Sequence, residues 1–210
     1  MIINGRKIKN GKKVLAQVRR DQITAATYKV VSQKGYYDFT IMDVARETGL
    51  STGLILYYFK NKQTLLLNLF RETQRNVRDN LRRQLEKAED PPGKLAIFID
   101  QSFLLFEKER DYFYLLFEFW TQLKRNKNIR QMVQKLYQAY RDELSSVLKA
   151  GMERKVFRDM DVQYTATFCI SLVQHTIIQH LIDDRAFDFR AYSERIRQCI
   201  FFMVLKNPHP

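Results

Sequence analysis

Residues 40–59 read TIMDVARETGLSTGLILYYF, and this stretch decides the fold of the N-terminal part of the chain. Thr40 and Ser51 are favoured N-cap residues, and each precedes a short apolar segment with helical spacing. Gly49 lies between the two segments, where glycine commonly ends one helix before the next begins. The stretch therefore predicts two short helices joined by a tight turn, which is the spacing of a helix-turn-helix.

The second predicted helix has two different faces. Ile55 and Phe59 are four residues apart, so we expect both to face inward. An exposed leucine–tyrosine pair beside a glycine adds little stability, but it suits close approach to a sugar-phosphate wall and to thymine methyl groups. We predict that this helix enters the DNA major groove with its exposed face, which carries Thr52, Gly53, Leu56 and Tyr57.

The ends of these helices provide groups for the DNA backbone. Thr40 and Ser51 leave helix N-termini whose N–H groups can donate to phosphates. Lys62 begins the next predicted helix, where its ammonium group is placed to reach the same backbone.

The net charge also indicates an anionic partner. The 210 residues include 36 Lys+Arg and 23 Asp+Glu, a formal net charge of +13. Residues 1–60 hold 11 basic and 4 acidic residues, so +7 of the surplus lies there. Residues 1–20 contain no acid, and this basic arm has two open interpretations. It either follows DNA phosphates or enters a minor groove, or it is only a solubilising tail.

This region resembles the TetR/AcrR family of bacterial transcriptional regulators. The resemblance is carried by Gly35, Phe39-Thr40, Val44-Ala45, Gly49-Leu50-Ser51, Gly53, Tyr58-Phe59, Lys62 and Leu65-Leu66. It implies operator contacts at Thr40, Ser51, Thr52, Tyr57, Tyr58 and Lys62. It also implies a C-terminal domain that binds an inducer and forms a dimer. This chain departs from the family at Leu56, where tyrosine is common, and at Lys155, where glycine is frequent.

The rest of the chain also repeats at the helical period, and no segment has a sustained period of two, which predicts an all-α fold. We expect residues 1–61 to form the DNA-binding domain and residues 62–210 the ligand-binding and dimerisation domain. The predicted breaker is Asp90-Pro91-Pro92-Gly93, and Asn128 with Gln131 has capping-box spacing. Nine helices are expected, over about 15–34, 40–48, 51–59, 62–88, 94–109, 112–125, 128–153, 161–182 and 189–205.

Nine aromatic residues lie between residues 98 and 120. A well-filled helical core is the simpler interpretation, and an apolar cavity for a small hydrophobic or aromatic effector is the alternative. Helical spacing groups Glu118 with polar neighbours, so we expect it to face solvent. The candidate wall of the cavity consists of Phe98, Phe103, Phe106, Phe117, Trp120, Tyr137 and Tyr140.

The last two predicted helices are apolar on nearly all sides. A terminal helix pair cannot bury two apolar faces within one subunit, whereas a twofold four-helix interface can. We therefore predict a homodimer whose interface contains Phe168, Leu172, Val173, Thr176, Ile196, Ile200 and Met203.

Catalysis, metal binding and membrane anchoring find little support. His175 and His180 are five apart and do not share a helical face, and Cys169 and Cys199 are remote from each other. Both cysteines are expected to be small apolar fillers in the interface helices. No phosphate loop, nucleophile elbow or dinucleotide fingerprint occurs, and no apolar run approaches the roughly 18 residues of a membrane span. We expect a cytoplasmic protein that is not an enzyme, with no metal and no cofactor.

These patterns predict a ligand-responsive regulator, more specifically a repressor, that binds a palindromic DNA operator as a homodimer. A small hydrophobic or aromatic effector would release it. Two alternatives remain open. The diffuse positive charge of residues 61–210 also fits a sequence-nonspecific architectural DNA-binding protein. Leu56 suggests a dimeric sensor whose second short helix no longer binds DNA.

Overall fold

A computed structural model describes residues 3–35 and 37–207, with side chains from residue 14 onward. Over this range the chain is all-α, as predicted, and an isolated antiparallel bridge joins Phe157 to Leu205. The nine helices of the described residues are α1 Ile3–Lys34, α2 Ile41–Thr48, α3 Thr52–Phe59, α4 Lys62–Leu85, α5 Pro91–Lys108, α6 Arg110–Thr121, α7 Lys127–Glu153, α8 Val162–Ile182 and α9 Phe189–Val204.

The first helix begins earlier than predicted. The apolar spacing placed its start near residue 15, but the backbone is helical from Ile3. Lysine and arginine are good helix formers, so the basic arm extends the helix without an apolar face of its own. Side chains of the arm's first basic residues lie outside the described part of the chain; these are Arg6, Lys7, Lys9, Lys12 and Lys13.

Side-chain caps start the helices of the DNA-binding region where the sequence placed them. Thr40 begins a capping box at α2. The Ser51 Oγ atom accepts a hydrogen bond from the Leu54 N–H at 3.2 Å at the start of α3. The Asn61 side chain accepts one from the Thr64 N–H at 2.8 Å at the start of α4. The three caps confirm the predicted starts of α2, α3 and α4.

Later helices start a few residues from their predicted positions. Asp90 caps α5, which begins at Pro91, because proline is tolerated in the first turn of a helix. The capping box predicted at Asn128 and Gln131 is wrong. Instead the Asn126 side chain accepts from the Asn128 and Ile129 N–H groups, and α7 begins at Lys127.

The chain divides into two compact units. The first comprises Met1–Arg75 and Leu115–Thr121, so the second half of α6 packs with the N-terminal helices. The rings of Phe70 and Phe119 lie 4.5 Å apart between their centroids in its core. The predicted domain boundary after residue 61 lies ahead of this division, because the first turns of α4 bury Leu65, Leu66, Leu69 and Phe70 in this unit.

The second unit comprises Asn76–Tyr114 and Gln122–Pro210. In it α8 packs against α5, α7 and α9, and α5 packs against α7 and α9. Its core is one continuous apolar cluster that includes Leu95, Ile99, Leu144, Leu148, Ile200 and Val204.

The connection between α7 and α8 is fixed by one glycine and one phenylalanine. A Cβ atom on Gly151 would lie 1.9 Å from Cδ2 of the buried Phe157 ring, so only glycine allows this contact. Lys155 adopts a left-handed conformation (φ 58°), which glycine adopts freely and residues with a Cβ atom adopt only at a cost. The Arg158 N–H donates to the Val204 carbonyl at 2.9 Å, which ties this connection to the end of α9.

Within the described ranges, no helix is long and apolar enough to cross a membrane. The same residues hold no cluster of three or more His, Cys, Asp or Glu side chains suited to a metal ion. Cys169 is buried, and burial raises the pKa of its thiol to about 12. Cys199 is exposed in the single chain, so its predicted role as an apolar filler in an interface helix stays a prediction.

Candidate DNA-binding surface and ligand-binding residues

The inner side of α3 is anchored as predicted. Ile55 and Phe59 are almost completely buried, together with Val44 of α2. Gly49 ends α2 in a left-handed conformation (φ 70°), which glycine adopts without strain, so the chain can reverse direction before α3. The inner contacts therefore hold α3 in place and leave its other side outward.

The outer side of α3 carries the four residues that the sequence placed there. Thr52 and Gly53 are exposed, Leu56 is 41% exposed and Tyr57 is 78% exposed. A Cβ atom on Gly53 would meet only the Ser51 Oγ atom, 4.0 Å away. Packing within the chain therefore does not require a glycine at this position. Because Gly53 has no side chain, the surface of α3 has space at this position for close approach by another molecule.

The N-terminus of α2 is locked by a polar network. The Thr40 hydroxyl accepts from the Asp43 N–H at 3.1 Å and donates to Asp43 Oδ2 at 2.9 Å. The Lys34 ammonium group donates to Asp43 Oδ1 at 2.7 Å. These bonds, with Lys34 first, lower the pKa of Asp43 from 3.8 to about 2. Thr40 is thus a structural cap, and its operator contact stays a prediction.

Tyr58 has a different environment from its neighbour Tyr57. It is half-buried, and the Arg20 guanidinium lies 5.8 Å from its ring centroid and 5.2 Å from that of Phe59. Arg20 belongs to the basic arm of the sequence, but here it packs α1 against the end of α3. In the sequence, Arg20 has the same charge as the other basic residues of the arm, so the charge pattern could not predict this packing role. The predicted DNA contact of Tyr58 remains untested.

Lys62 has two partners inside its own unit. Its ammonium group donates to the Tyr37 carbonyl at 2.7 Å and lies 4.3 Å from the Phe39 ring centroid. Partial burial lowers the pKa of Lys62, and the Asp38 carboxylate partly offsets this. Lys62 therefore ties α4 to the loop before α2, while its phosphate contact stays a prediction. Lys60, directly after α3, is exposed.

Three of the predicted ligand-binding residues form packed core in the second unit. Phe98, Phe103 and Phe106 are between 1% and 6% exposed and belong to its continuous apolar cluster. The Phe103 and Phe106 rings both contact Phe189 of α9, with centroids 5.8 and 4.8 Å apart. These contacts match the simpler interpretation that the sequence allowed.

Two predicted tyrosines bring polar groups into the same unit. The Gln174 side-chain amide donates to the Tyr137 hydroxyl oxygen, which links α8 to α7. Tyr140 shares a hydrogen bond with Tyr112. Burial raises the pKa of Tyr137 and of Tyr140, so both hydroxyls stay protonated near neutral pH.

Phe117 and Trp120 belong to the first unit, whereas the other five predicted ligand-binding residues belong to the second. Their ring centroids are 5.0 Å apart. Glu118, between them in sequence, is half-buried rather than solvent-facing as expected. Its Oε2 atom is buried and has no hydrogen-bond partner among the described residues, so it is available to a donor.

The structure changes the set of residues that can form a dimer interface. Val173, Thr176, Ile196 and Ile200 are at most 9% exposed, because these sides of α8 and α9 pack into the core of the second unit. Leu172 and Met203 are half-buried, and Phe168 is half-exposed. Other large apolar side chains are exposed on the outer sides of the two helices: Tyr164 (79% exposed), Ile182 (76%) and Phe202 (66%).

Comparison with known families agrees with this arrangement. Residues 23–69 match the model of the N-terminal domain of bacterial regulatory proteins of the tetR family. Residues 91–200 match the C-terminal domain of BetI-type transcriptional repressors, which alone is more than half of the chain. The chain belongs to the TetR family of bacterial transcriptional regulators. The first match contains the end of α1, α2, α3 and the start of α4, and the second contains α5 to α8 and most of α9.

Individual TetR-family proteins match over most of their length. The fatty acid metabolism regulator protein of Bacillus subtilis (strain 168) is 23% identical over 85% of this chain and 92% of its own length. A regulator from Saccharomonospora viridis, solved with choline, has a TM-score of 0.84 at 22% identity, covering 91% of this chain and 100% of that one. FadR from Bacillus subtilis, solved with stearoyl-CoA, has a TM-score of 0.71 at 22% identity, covering 87% and 97%.

Proposed function

We propose that this TetR-family regulator is a cytoplasmic repressor that binds a palindromic operator as a homodimer through α3. The observation that carries the proposal is the outer face of α3, where Leu56 and Tyr57 are exposed beside a glycine that no internal contact requires. An eight-residue helix with this face fits the major groove, where leucine and tyrosine can contact thymine methyl groups and sugars.

The dimer is supported by the outer sides of α8 and α9. Tyr164, Phe168 and Ile182 on α8 and Phe202 on α9 are all at least half exposed in the single chain. Large apolar side chains of this kind gain free energy when a second copy covers them. A twofold homodimer has two α3 helices, one for each half of a palindromic operator, and half-sites of this type are about 34 Å apart or a multiple of that distance.

The effector is proposed to be a small hydrophobic or aromatic molecule. Support comes from the concentration of aromatic side chains on α5 and α6, with the Tyr137 and Tyr140 hydroxyls as polar groups on α7. Two similar proteins were solved with choline and with stearoyl-CoA, so the fold accommodates ligands of different character. For the effector to release the protein from DNA, its binding must weaken operator binding. The coupling free energy between two such sites is typically about 1–3 kcal/mol.

Selection from random DNA tests the proposal. The full chain should enrich a palindromic consensus, and a reporter gene placed behind that sequence should be repressed. The Tyr57→Ala variant, which keeps the buried side of α3, should enrich the consensus poorly. Binding without any consensus would favour the architectural DNA-binding protein. Failure to retain any DNA would favour the sensor that has lost DNA binding, and reporter activation would replace the repressor by an activator.

A further inference from the structure

An open pocket of about 390 Å³ lies in the second unit, where the ends of α5 and α8 meet the beginnings of α6 and α9. Two phenylalanine rings, Phe106 and Phe189, form its apolar part. Its remaining wall is polar and carries both signs of charge: Glu107, Arg110, His180, Asp188 and Arg190.

Three of the charged groups already have partners. Arg190 Nε donates to Glu107 Oε1 at 2.8 Å, and this pair raises the pKa of Arg190. Asp188 accepts from the Ala191 N–H at 2.7 Å as the N-cap of α9. Arg110 differs, because no carboxylate in the described chain forms a salt bridge with it. Its guanidinium contacts only the Phe106 ring, 5.4 Å from the centroid, and the His180 ring.

His180 adds an unused hydrogen-bonding group at the same place. It is 7% exposed and surrounded by the rings of Phe106, Phe187 and Phe189. Arg110 lies 3.4 Å from His180 Nε2, and because a guanidinium can only donate, this nitrogen is the acceptor. The neutral ring then carries its proton on Nδ1, a buried nitrogen with no partner among the described residues. A buried unpaired donor of this kind is costly unless a ligand supplies an acceptor.

We propose that this pocket binds a small organic anion, a carboxylate attached to an aromatic or other apolar group. Arg110 supplies a positive charge that has no salt-bridge partner among the described residues, and a planar pair of donors that matches a carboxylate. His180 supplies a further donor, and the Phe106 and Phe189 rings border the pocket on its apolar side. The site shares only Phe106 with the effector residues proposed above. It requires neither dimerisation nor DNA binding.

Benzoate and benzamide are matched probes, because they share a ring and differ in charge. We expect benzoate to bind the full chain saturably. The NMR signals of the histidine rings monitor this binding, and a His180→Gln variant identifies the His180 signal. Benzamide should bind at least about fivefold more weakly. Arg110→Gln should raise the benzoate Kd about tenfold, equivalent to 1.4 kcal/mol. Arg110→Lys should fall between this variant and the wild type.

Arg141→Gln is the control, since it removes one arginine charge from the exposed side of α7, away from the pocket. It should leave the benzoate Kd within about twofold of the wild type. Circular dichroism and thermal unfolding verify that each variant is folded. The proposal is overturned by absence of saturable benzoate binding, by equal binding of benzamide, or by an unchanged Kd in a folded Arg110→Gln variant. Because no readout uses DNA, this failure is distinct from failure of the proposed repressor function.

Discussion

Gly53 and Gly151 lack side chains for different reasons. At Gly151 the space of a Cβ atom is filled by the Phe157 ring inside the second unit. At Gly53 that space is open. Among the described residues, the nearest atom to an added Cβ is the Ser51 Oγ atom, 4.0 Å away. The first glycine is therefore required by the fold, whereas no contact within the described chain requires the second, which we propose allows close approach of DNA. Replacing each by alanine separates the two requirements.

Gly151→Ala should destabilise the protein by about 1–3 kcal/mol or more, the usual cost of overpacking a core. The added methyl group clashes with Phe157, which is 2% exposed and has no free direction in which to move. The midpoint of urea unfolding measures the effect. An unfolding midpoint equal to that of the wild type would mean that the Phe157 ring does not lie against Gly151.

Gly53→Ala should leave stability unchanged or raise it by up to about 1 kcal/mol, since alanine favours a helix more than glycine does. Operator affinity should nevertheless fall, because the methyl group occupies space next to the DNA backbone. Unfolding curves and fluorescence anisotropy with operator DNA give the two readouts. Unchanged affinity in this variant would place the N-terminal end of α3 away from the DNA.

The Asp43 carboxylate makes stability depend on pH. Its pKa is about 2 in the folded protein against an ordinary value of 3.8, so its contribution is complete above about pH 4 and is lost as the pH falls toward 2. Asp43→Asn should reduce the loss of stability over this interval. Asp79→Asn, an exposed carboxylate on α4, serves as the control. Equal pH profiles for the Asp43→Asn variant and the wild type would contradict the assigned bonds to Lys34 and Thr40.

At the scale of elements, the N-terminus of α4 has two possible tasks. Lys62 joins this helix to the Tyr37 carbonyl, and the family resemblance also implies a DNA contact there. One ammonium group can serve both, since it has three donor hydrogens. The structural task affects stability alone, whereas a phosphate contact also affects the salt dependence of DNA binding.

Lys62→Ala should weaken binding to all DNA sequences alike and lower the slope of log K against log salt by about one. It should also cost about 1 kcal/mol of stability through loss of the Tyr37 bond. Lys62→Arg retains the charge and should retain the slope. Salt titrations of operator binding measure it. Lost stability with an unchanged slope would make Lys62 a structural tie only.

At the scale of the whole molecule, the exposed apolar side chains of α8 and α9 form the surface on which we propose that a second copy packs. The residues first assigned to the interface are largely used inside the second unit, and the exposed side chains lie beside them on the same helices. The proposed dimer therefore uses the helices predicted from the sequence, but other faces of them.

Phe168→Glu should shift the protein from dimer to monomer at micromolar concentration, because a charge would be buried at an apolar interface. It should also reduce operator affinity, since a monomer contacts one half-site. Tyr114→Glu, an equally exposed aromatic on α6, is the control and should stay dimeric. Sedimentation velocity gives the masses. A wild type that is monomeric at this concentration would exclude the proposed interface.

The sequence by itself determined the all-α class, the family and the orientation of α3. These features depend on local patterns: cap residues, glycine at Gly49, and apolar spacing that separates Ile55 and Phe59 from Leu56 and Tyr57. Most helix starts were close for the same reason. The start of α1 was missed because a basic stretch can be helical without an apolar face.

Only the tertiary structure decided which sides of the apolar helices are buried. Ile200 and Phe202 are equally apolar in sequence, but one is in the core and the other is exposed, since this depends on which helices pack against α9. The pocket with Arg110 and His180 was also hidden, because its residues are 70 positions apart in the chain. Local propensity acts over a few residues, whereas burial and site formation depend on contacts between distant segments.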